Sequence, residues 1–165
     1  MNINKFNNFL DTFDYKVSTD GKDKKIILPS DIKNVDGKTI KNPKYLESVI
    51  IPDGVSIDSC AFYGCSSLIS ITMPDSMGIG TIGDAAFYNC KSLTSITIPN
   101  SVISIGRYAF NGCSSLTSVT IFKNTTFIAS NAFKECNKDL TFYAPKGSYA
   151  EEYAKQNNIT FKADI

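Results

Sequence analysis

The chain has no histidine. Without the commonest proton shuttle and metal ligand, it has no Ser–His or Cys–His nucleophile pair. Apolar runs of about 18 residues, the length that spans a bilayer, are missing too. Neither charge is in excess. Lys plus Arg is 17 and Asp plus Glu is 16, which gives no basic footprint for nucleic acid or an anionic membrane. No glycine-rich phosphate loop occurs. Residues 1–6 lack the basic and apolar regions of a secretory signal, so exported and cytosolic origins both stay open. What the 165 residues do have is core material. They are 42% hydrophobic and 20% charged, a balance that suits one folded domain. The five cysteines are an odd number, so at least one thiol is unpaired within a monomer.

A repeat organises the rest. Pro29, Pro52, Pro74, Pro99, Phe122 and Pro145 follow one another at steps of 23, 22, 25, 23 and 23 residues. Ile40, Phe62, Phe87, Phe110 and Phe133 each stand 12 residues before the next of these slots. That leg is constant, while the leg from proline to anchor varies from 10 to 13 residues. Constant spacing marks a packed spine, and variable spacing marks a leg that can bulge into solvent. The bulge is expected at Met77-Gly78-Ile79-Gly80, where glycine permits unusual backbone angles.

Other slots keep step. Three after the anchor come Pro43, Cys65, Cys90, Cys113 and Cys136; three further come Leu46, Leu68, Leu93 and Leu116. Ile26, Val49, Ile71, Ile96, Val119 and Phe142 lie three before the proline slot, and Leu28, Ile51, Met73, Ile98, Ile121 and Ala144 lie one before it. Inward residues at period two describe a half-buried strand. Each coil supplies one strand, and stacked coils supply a parallel sheet of about six.

Residues 93–113, LTSITIPNSVISIGRYAFNGC, resemble the BspA-like leucine-rich repeat almost position for position. The resemblance covers about residues 26–145, clear in four coils and degenerate in two. It implies an α/β repeat solenoid: a right-handed stack with a parallel sheet on one side. The reading divides the chain into an N-terminal cap (1–25), about five to six repeats of about 23 residues (26–145), and a C-terminal helical cap with a short strand (146–165). Helical caps are expected at both ends. Phe6, Phe9, Leu10 and Phe13 lie on one helical face, followed by a short strand at Asp14–Val17. Ser148 and Glu151 read as a capping box opening a helix near 149–156, with Tyr149 and Tyr153 closing the last coil. Family relatives are typically repeats of bacterial or protist surface proteins with adhesion or protein-binding roles, so the resemblance implies a cell-surface or secreted setting.

The cysteine ladder has three readings: free thiols filling the core, disulfides, or a metal site. A straight ladder gives neither a turned disulfide geometry nor tetrahedral convergence, which favours free thiols. Cys60 lies outside the ladder and is the thiol expected at the surface. Asp20-Gly21, Asp36-Gly37 and Asp53-Gly54 read as turns, because none has the further acidic ligands of a calcium loop. Asn124-Thr125-Thr126 and Asn158-Ile159-Thr160 fit the glycosylation acceptor pattern, which matters only in a secreted eukaryotic protein.

The candidate binding face is the outer side of the sheet: Ser48, Ser70, Ser95 and Ser118 in one row, with Thr141, and Ile50, Thr72, Thr97, Thr120 and Tyr143 in the next. Ile27, Ile50 and Ile69 form an apolar patch at its N-terminal end, a surface for a homodimer if the N-terminal segment leaves it bare. Tyr63 and Tyr88 are aromatic candidates on the opposite edge. The reading is a non-enzymatic interaction module for a protein or glycan, with no cofactor, no metal, no nucleic acid and no membrane insertion. A structural spacer with nothing bound on the sheet face is the alternative.

Overall fold

The computed structural model describes residues 15–16, 24–28, 30–41, 43–75 and 80–163. In chain order the strands are β1 (Tyr15–Lys16), β2 (Lys25–Ile27), β3 (Asn34–Val35), β4 (Ile40–Lys41), β5 (Ser48–Ile50), β6 (Ser56–Ile57) and β7 (Ser70–Thr72). Then come β8 (Thr81–Ile82), β9 (Ser95–Ile98), β10 (Ser104–Ile105), β11 (Ser118–Ile121), β12 (Phe127–Ile128) and β13 (Thr141–Tyr143). Helix α1 (Tyr149–Gln156) and β14 (Thr160–Lys162) follow, and a 3-10 turn at Pro43–Tyr45 lies between β4 and β5.

The pairings are all parallel, and from β2 to β13 they join the same slot of successive coils. The chain is therefore a parallel β-solenoid. Its long strands form two sheets in sequence, β2-β5-β7 and β9-β11-β13-β14, with β7 beside β9. The division falls at the coil whose variable leg is longest. Residues 76–79, which carry most of the expected bulge, lie outside the described residues, as does the turn expected at Asp20-Gly21.

Two expectations change. The first placed a sheet on one side only, but β3-β6-β8-β10-β12 form a second parallel sheet. Each of its strands has two residues, one inward (Val35, Ile57, Ile82, Ile105, Ile128) and one outward. A two-residue strand is too short to print an alternation in the sequence, and only stacking on its neighbours makes it a strand. The second expectation was a helical cap at each end. One helix, α1, closes the C-terminal end; the helical face through Phe6, Phe9, Leu10 and Phe13 lies outside the described residues. The short strand expected near Asp14–Val17 is present as β1, paired with β4.

The core is a set of columns. Phe62, Phe87, Phe110 and Phe133 stack face to face with centroids 5.2, 5.0 and 4.8 Å apart. Leu46, Leu68, Leu93 and Leu116 are fully buried beside them. Each interior ring is covered on both faces, so deleting one exposes two coils.

The constant leg between the sheets has its own ladder. The amides of Cys60, Phe62 and Gly64 donate to the carbonyls of Asp84, Ala86 and Tyr88 in the next coil. Those of Ala85, Phe87 and Asn89 donate to Arg107, Ala109 and Asn111, and those of Phe110 and Gly112 to Ala132 and Lys134. Pointing every second amide along the stack requires left-handed backbone near the anchor. Cys60, Ala85 and Tyr108 take it two residues before the ring, and Gly64, Asn89, Gly112 and Glu135 two residues after. Non-glycine residues in this region carry strain, here offset by inter-coil hydrogen bonds of 2.7–2.9 Å.

The C-terminal helix solves a different problem. The last coil has no neighbour to cover its rings. Helix α1 buries Ala150, Tyr153 and Ala154 over them, with Tyr153 against Phe133 and Phe142. Ser148 caps the helix by accepting from the Glu151 amide. The Glu151 carboxylate accepts from the Gly147 amide and from Lys155, not from the Ser148 amide as a closed capping box would have it.

Candidate functional site

Side chains at alternate strand positions leave the core, so the outer face of the long sheets is dictated by pleat alone. Strand pairing sets the rows. Lys25, Ser48 and Ser70 stand in register, and so do Ser95, Ser118, Thr141 and Thr160. The second row runs Ile27, Ile50, Thr72 and, in the other sheet, Thr97, Thr120, Tyr143, Lys162. All of these are exposed or half-buried. Ile69 is 51% exposed but precedes β7, in the row of Lys24 and Glu47, whose ion pair measures 2.6 Å. The apolar patch is therefore Ile27 and Ile50 on the sheet, with Ile69 on its rim.

Several hydroxyls elsewhere are used by the fold. Thr81 and Ser104 bond each other, Thr125 donates to the Val102 carbonyl, and Ser92 donates to the Ser66 carbonyl. On the long sheets the contrast is clear. Among the described residues, the side chains of Ser48, Ser70, Thr72, Ser95, Thr97, Ser118 and Thr120 have no hydrogen-bond partner. Thr141 bonds locally to the Asp139 carbonyl, and Lys162 lies 5.6 Å over the Tyr143 ring.

The cysteine ladder is free of disulfides. Cys65, Cys90 and Cys113 are fully buried, Cys136 is half-buried and Cys60 is exposed. The thiols are more than fillers, which sequence reasoning missed. Cys90 donates to the Phe62 carbonyl, Cys113 to Phe87 and Cys136 to Phe110, at 3.2–3.3 Å. The acceptor is in each case the anchor of the preceding coil. The signal was present in the spacing, since cysteine sits three residues beyond each ring. Hydrogen bonding with Cys65 and burial push the Cys90 thiol far up, and burial does the same to Cys113. Burial pushes Cys136 up to about 12. These thiols are protonated donors, the reverse of a nucleophile. Among the described residues no group of three or more His, Cys, Asp or Glu is placed to hold a metal ion.

Two further features stand on other faces. Tyr63 and Tyr88 stack at 4.9 Å, with Tyr63 half exposed, but they lie on the constant leg, away from the hydroxyl rows. At the C-terminal end a cleft of about 270 Å³ is lined by the last coil, by Tyr153 and by Asn157–Ile159. Burial pushes the Tyr153 hydroxyl up to about 12 against the opposing pull of the Phe133 amide that faces it. The hydroxyl itself reaches the Ser130 carbonyl at 3.5 Å.

Parallel coils, a leucine column and a strand from successive coils in each of two sheet faces define a leucine-rich-repeat solenoid. The chain belongs to the BspA type leucine rich repeat family: residues 33–162 match that region in 6 copies. Among solved structures it is similar to a leucine rich cell surface protein from Faecalibacterium prausnitzii, at 29% identity and TM-score 0.69, over 87% of this chain and 36% of that one. It is similar to a leucine-rich repeat protein from Bacteroides ovatus at 28% identity and TM-score 0.65, over 86% and 42%. A leucine rich repeat protein from T. pallidum gives 28% and 0.65, over 78% and 61%. The chain thus spans less than half the length of the first two. A comparison with proteins of curated function finds no match.

Proposed function

We propose that this domain is a non-enzymatic interaction module of a surface protein, engaging a protein or glycan through the outer face of its long sheets. One observation carries the reading. The face holds two rows of hydroxyls that the fold does not use, while on other faces Thr81, Ser104, Ser92 and Thr125 spend theirs on coil-to-coil bonds. Polar side chains with open donors and acceptors suit a polar ligand. The surface setting follows from the similarity to the F. prausnitzii cell surface protein.

Size limits the partner. Seven strands at about 4.8 Å and three residues at about 3.3 Å give a face of roughly 300 Å². A stable protein interface needs about 800 Å² per partner, so a protein partner must also touch the rims, whereas a small or linear polar ligand need not. Binding of the chain to a glycan array and to immobilised extracellular proteins tests the reading, with Thr97→Arg/Thr120→Arg as the control. Any specific binding should be lost in that variant. Binding that survives it moves the site elsewhere.

A second reading has an observation of its own. Interface hot spots favour Trp, Tyr and Arg, and the only aromatic in the two rows is Tyr143. That favours a spacer whose sheet face binds nothing. Self-association through Ile27, Ile50 and Ile69 is a third use of the face. It predicts a dimer by light scattering that Ile50→Lys/Ile69→Lys dissolves.

A further inference from the structure

The two ends of the long-sheet face differ in what stands among the hydroxyls. At the C-terminal end, the outward positions of β9, β11, β13 and β14 carry serine or threonine everywhere except at Tyr143 and Lys162. The strands there thus present one ring, one cation and no carboxylate. Ring and cation are neighbours. Tyr143 and Lys162 stand in register, and the Lys162 ammonium lies 5.6 Å over the Tyr143 ring. Thr120 flanks Tyr143 on the other side, with Thr97 beyond it. Lys162 and Thr97 are exposed, and Tyr143 and Thr120 are half-buried. Among the described residues Lys162 forms no ion pair. At the N-terminal end the corresponding row begins with Ile27 and Ile50, and Lys25 lies over no ring among the described residues.

This composition selects a ligand class. A serine or threonine hydroxyl both donates and accepts, as every hydroxyl of a sugar does. The C–H face of a sugar ring is apolar and weakly positive, which suits the negative face of an aromatic ring. An ammonium with no carboxylate beside it favours an anionic group. A peptide fits less well. β11 and β13 are interior strands, so their backbone is spent on neighbours at both sides and no peptide can join the sheet there.

We propose that the Tyr143–Lys162 end of the face is a subsite for an acidic oligosaccharide. A sugar ring packs on Tyr143, its carboxylate meets the Lys162 ammonium, and its hydroxyls exchange bonds with those of Thr120 and Thr97. The proposal rests on the reading of this face as a binding surface and names the ligand that the surface takes.

The test follows amide resonances of the isotopically labelled full chain during titration at low salt. The probe is a galacturonate trimer. Its methyl ester, which keeps rings and hydroxyls but not the charge, is one control. A capped peptide alternating threonine and glutamate is the other. Shifts are expected at Thr97, Thr120, Tyr143 and Lys162. The ester should bind about threefold more weakly than the acid, and Lys162→Gln should weaken binding of the acid by about the same factor. Tyr143→Ser should weaken it about threefold or more. Lys162→Arg should retain binding, and Lys25→Gln at the far end should leave it unchanged. The amide spectrum of each variant also reports whether it is folded. Equal binding of acid and ester, an affinity unchanged by Lys162→Gln, or equal binding of the acidic peptide at these residues would overturn the acidic-sugar subsite while leaving the face a binding surface. No shifts with the trimer would overturn the subsite alone. The broader reading falls only if the glycan array and the extracellular proteins also leave the face untouched.

Discussion

The coil around Phe110 and the coil around Ile40 occupy the same fold and are held by different means. At Phe110 the ring is stacked on both sides, the thiol three residues on binds the preceding ring's carbonyl, and alternate amides reach the next coil. At Ile40 there is no ring, and Pro43 replaces the thiol. Lys38 occupies the slot of Cys60 two before the anchor, but its amide turns back to the Asp36 carboxylate at 2.9 Å. The Asp36 amide binds the Thr39 hydroxyl, and that hydroxyl binds the Asp36 carboxylate. The edge coil closes on itself with side chains, while the interior coil closes on its neighbours with backbone. The Lys38 amide is thus satisfied within its own turn, although a coil follows it, whereas the matching amides of Cys60 and Ala85 depend on the next coil.

Removing the ring should show the largest difference. Phe110→Ala should cost about 3–5 kcal/mol in chemical denaturation, because two stacked neighbours lose a face. A cost below about 1 kcal/mol would mean that the column is not the spine. Ile40→Ala should cost about 2 kcal/mol, at the low end for a buried aliphatic, since coil 40 has no ring stacked upon it.

Next is the glycine contrast. A methyl group at Gly83 would fall on the backbone of Asp58 and Ser59, which cannot move aside without opening the stack. At Gly37 the nearest atom to such a methyl is 3.1 Å away, the Cys60 carbonyl oxygen. Gly83→Ala should cost about 1–3 kcal/mol by overpacking, and Gly37→Ala clearly less. Equal melting temperatures for the two variants would refute the difference in coil contact.

The thiols sharpen the picture further. In the native protein a thiol reagent should modify Cys60 readily and Cys136 slowly. Cys65, Cys90 and Cys113 should appear only on denaturation, since all three are fully buried, and burial also keeps Cys90 and Cys113 protonated. Rapid native labelling of Cys90 would show that the column opens. Cys113→Ala should cost about 1–2 kcal/mol for the lost donor and volume.

The smallest effect belongs to the edge. Hydrogen bonds from the Lys38 amide, and less so from Thr39, hold the Asp36 carboxyl below its ordinary range. A lowered folded pKa contributes stability that is present above the unfolded value of about 3.9 and lost as pH falls through the folded value. Asp36→Asn should therefore cost less than about 1 kcal/mol at neutral pH. The gap to the parent should close in melts below about pH 4, where the parent's own carboxyl protonates. A gap that persists in acid would mean that Asp36 acts by shape, not charge.

Much of this was legible in the residues. The 12-residue leg fixed which slots are core, and every anchor from Ile40 to Phe133 is buried. The period-two pattern placed Ser95, Thr97, Ser118 and Thr120 outward, and Ser148 marked the start of α1. The hidden parts share a cause. The strands from β3 to β12 of the second sheet exist only because coils lie next to one another. Cys90 finds its acceptor 28 residues back, and local spacing names neither the atom nor its direction.

The sequence by itself determined what each residue prefers: ring, leucine or β-branched side chain inward, hydroxyl outward, proline where a strand ends. Those are single-residue and short-range preferences, readable because they recur every coil. Tertiary structure decided which amide meets which carbonyl. It set Tyr153 of a helix, and not a further ring of a coil, against Phe133 at the end of the stack. It also left the hydroxyls of the long sheets unused while those of Thr81 and Ser104 were paired. Pairing across a coil depends on the few ångströms between stacked atoms, a distance set by the whole stack and by no residue in it.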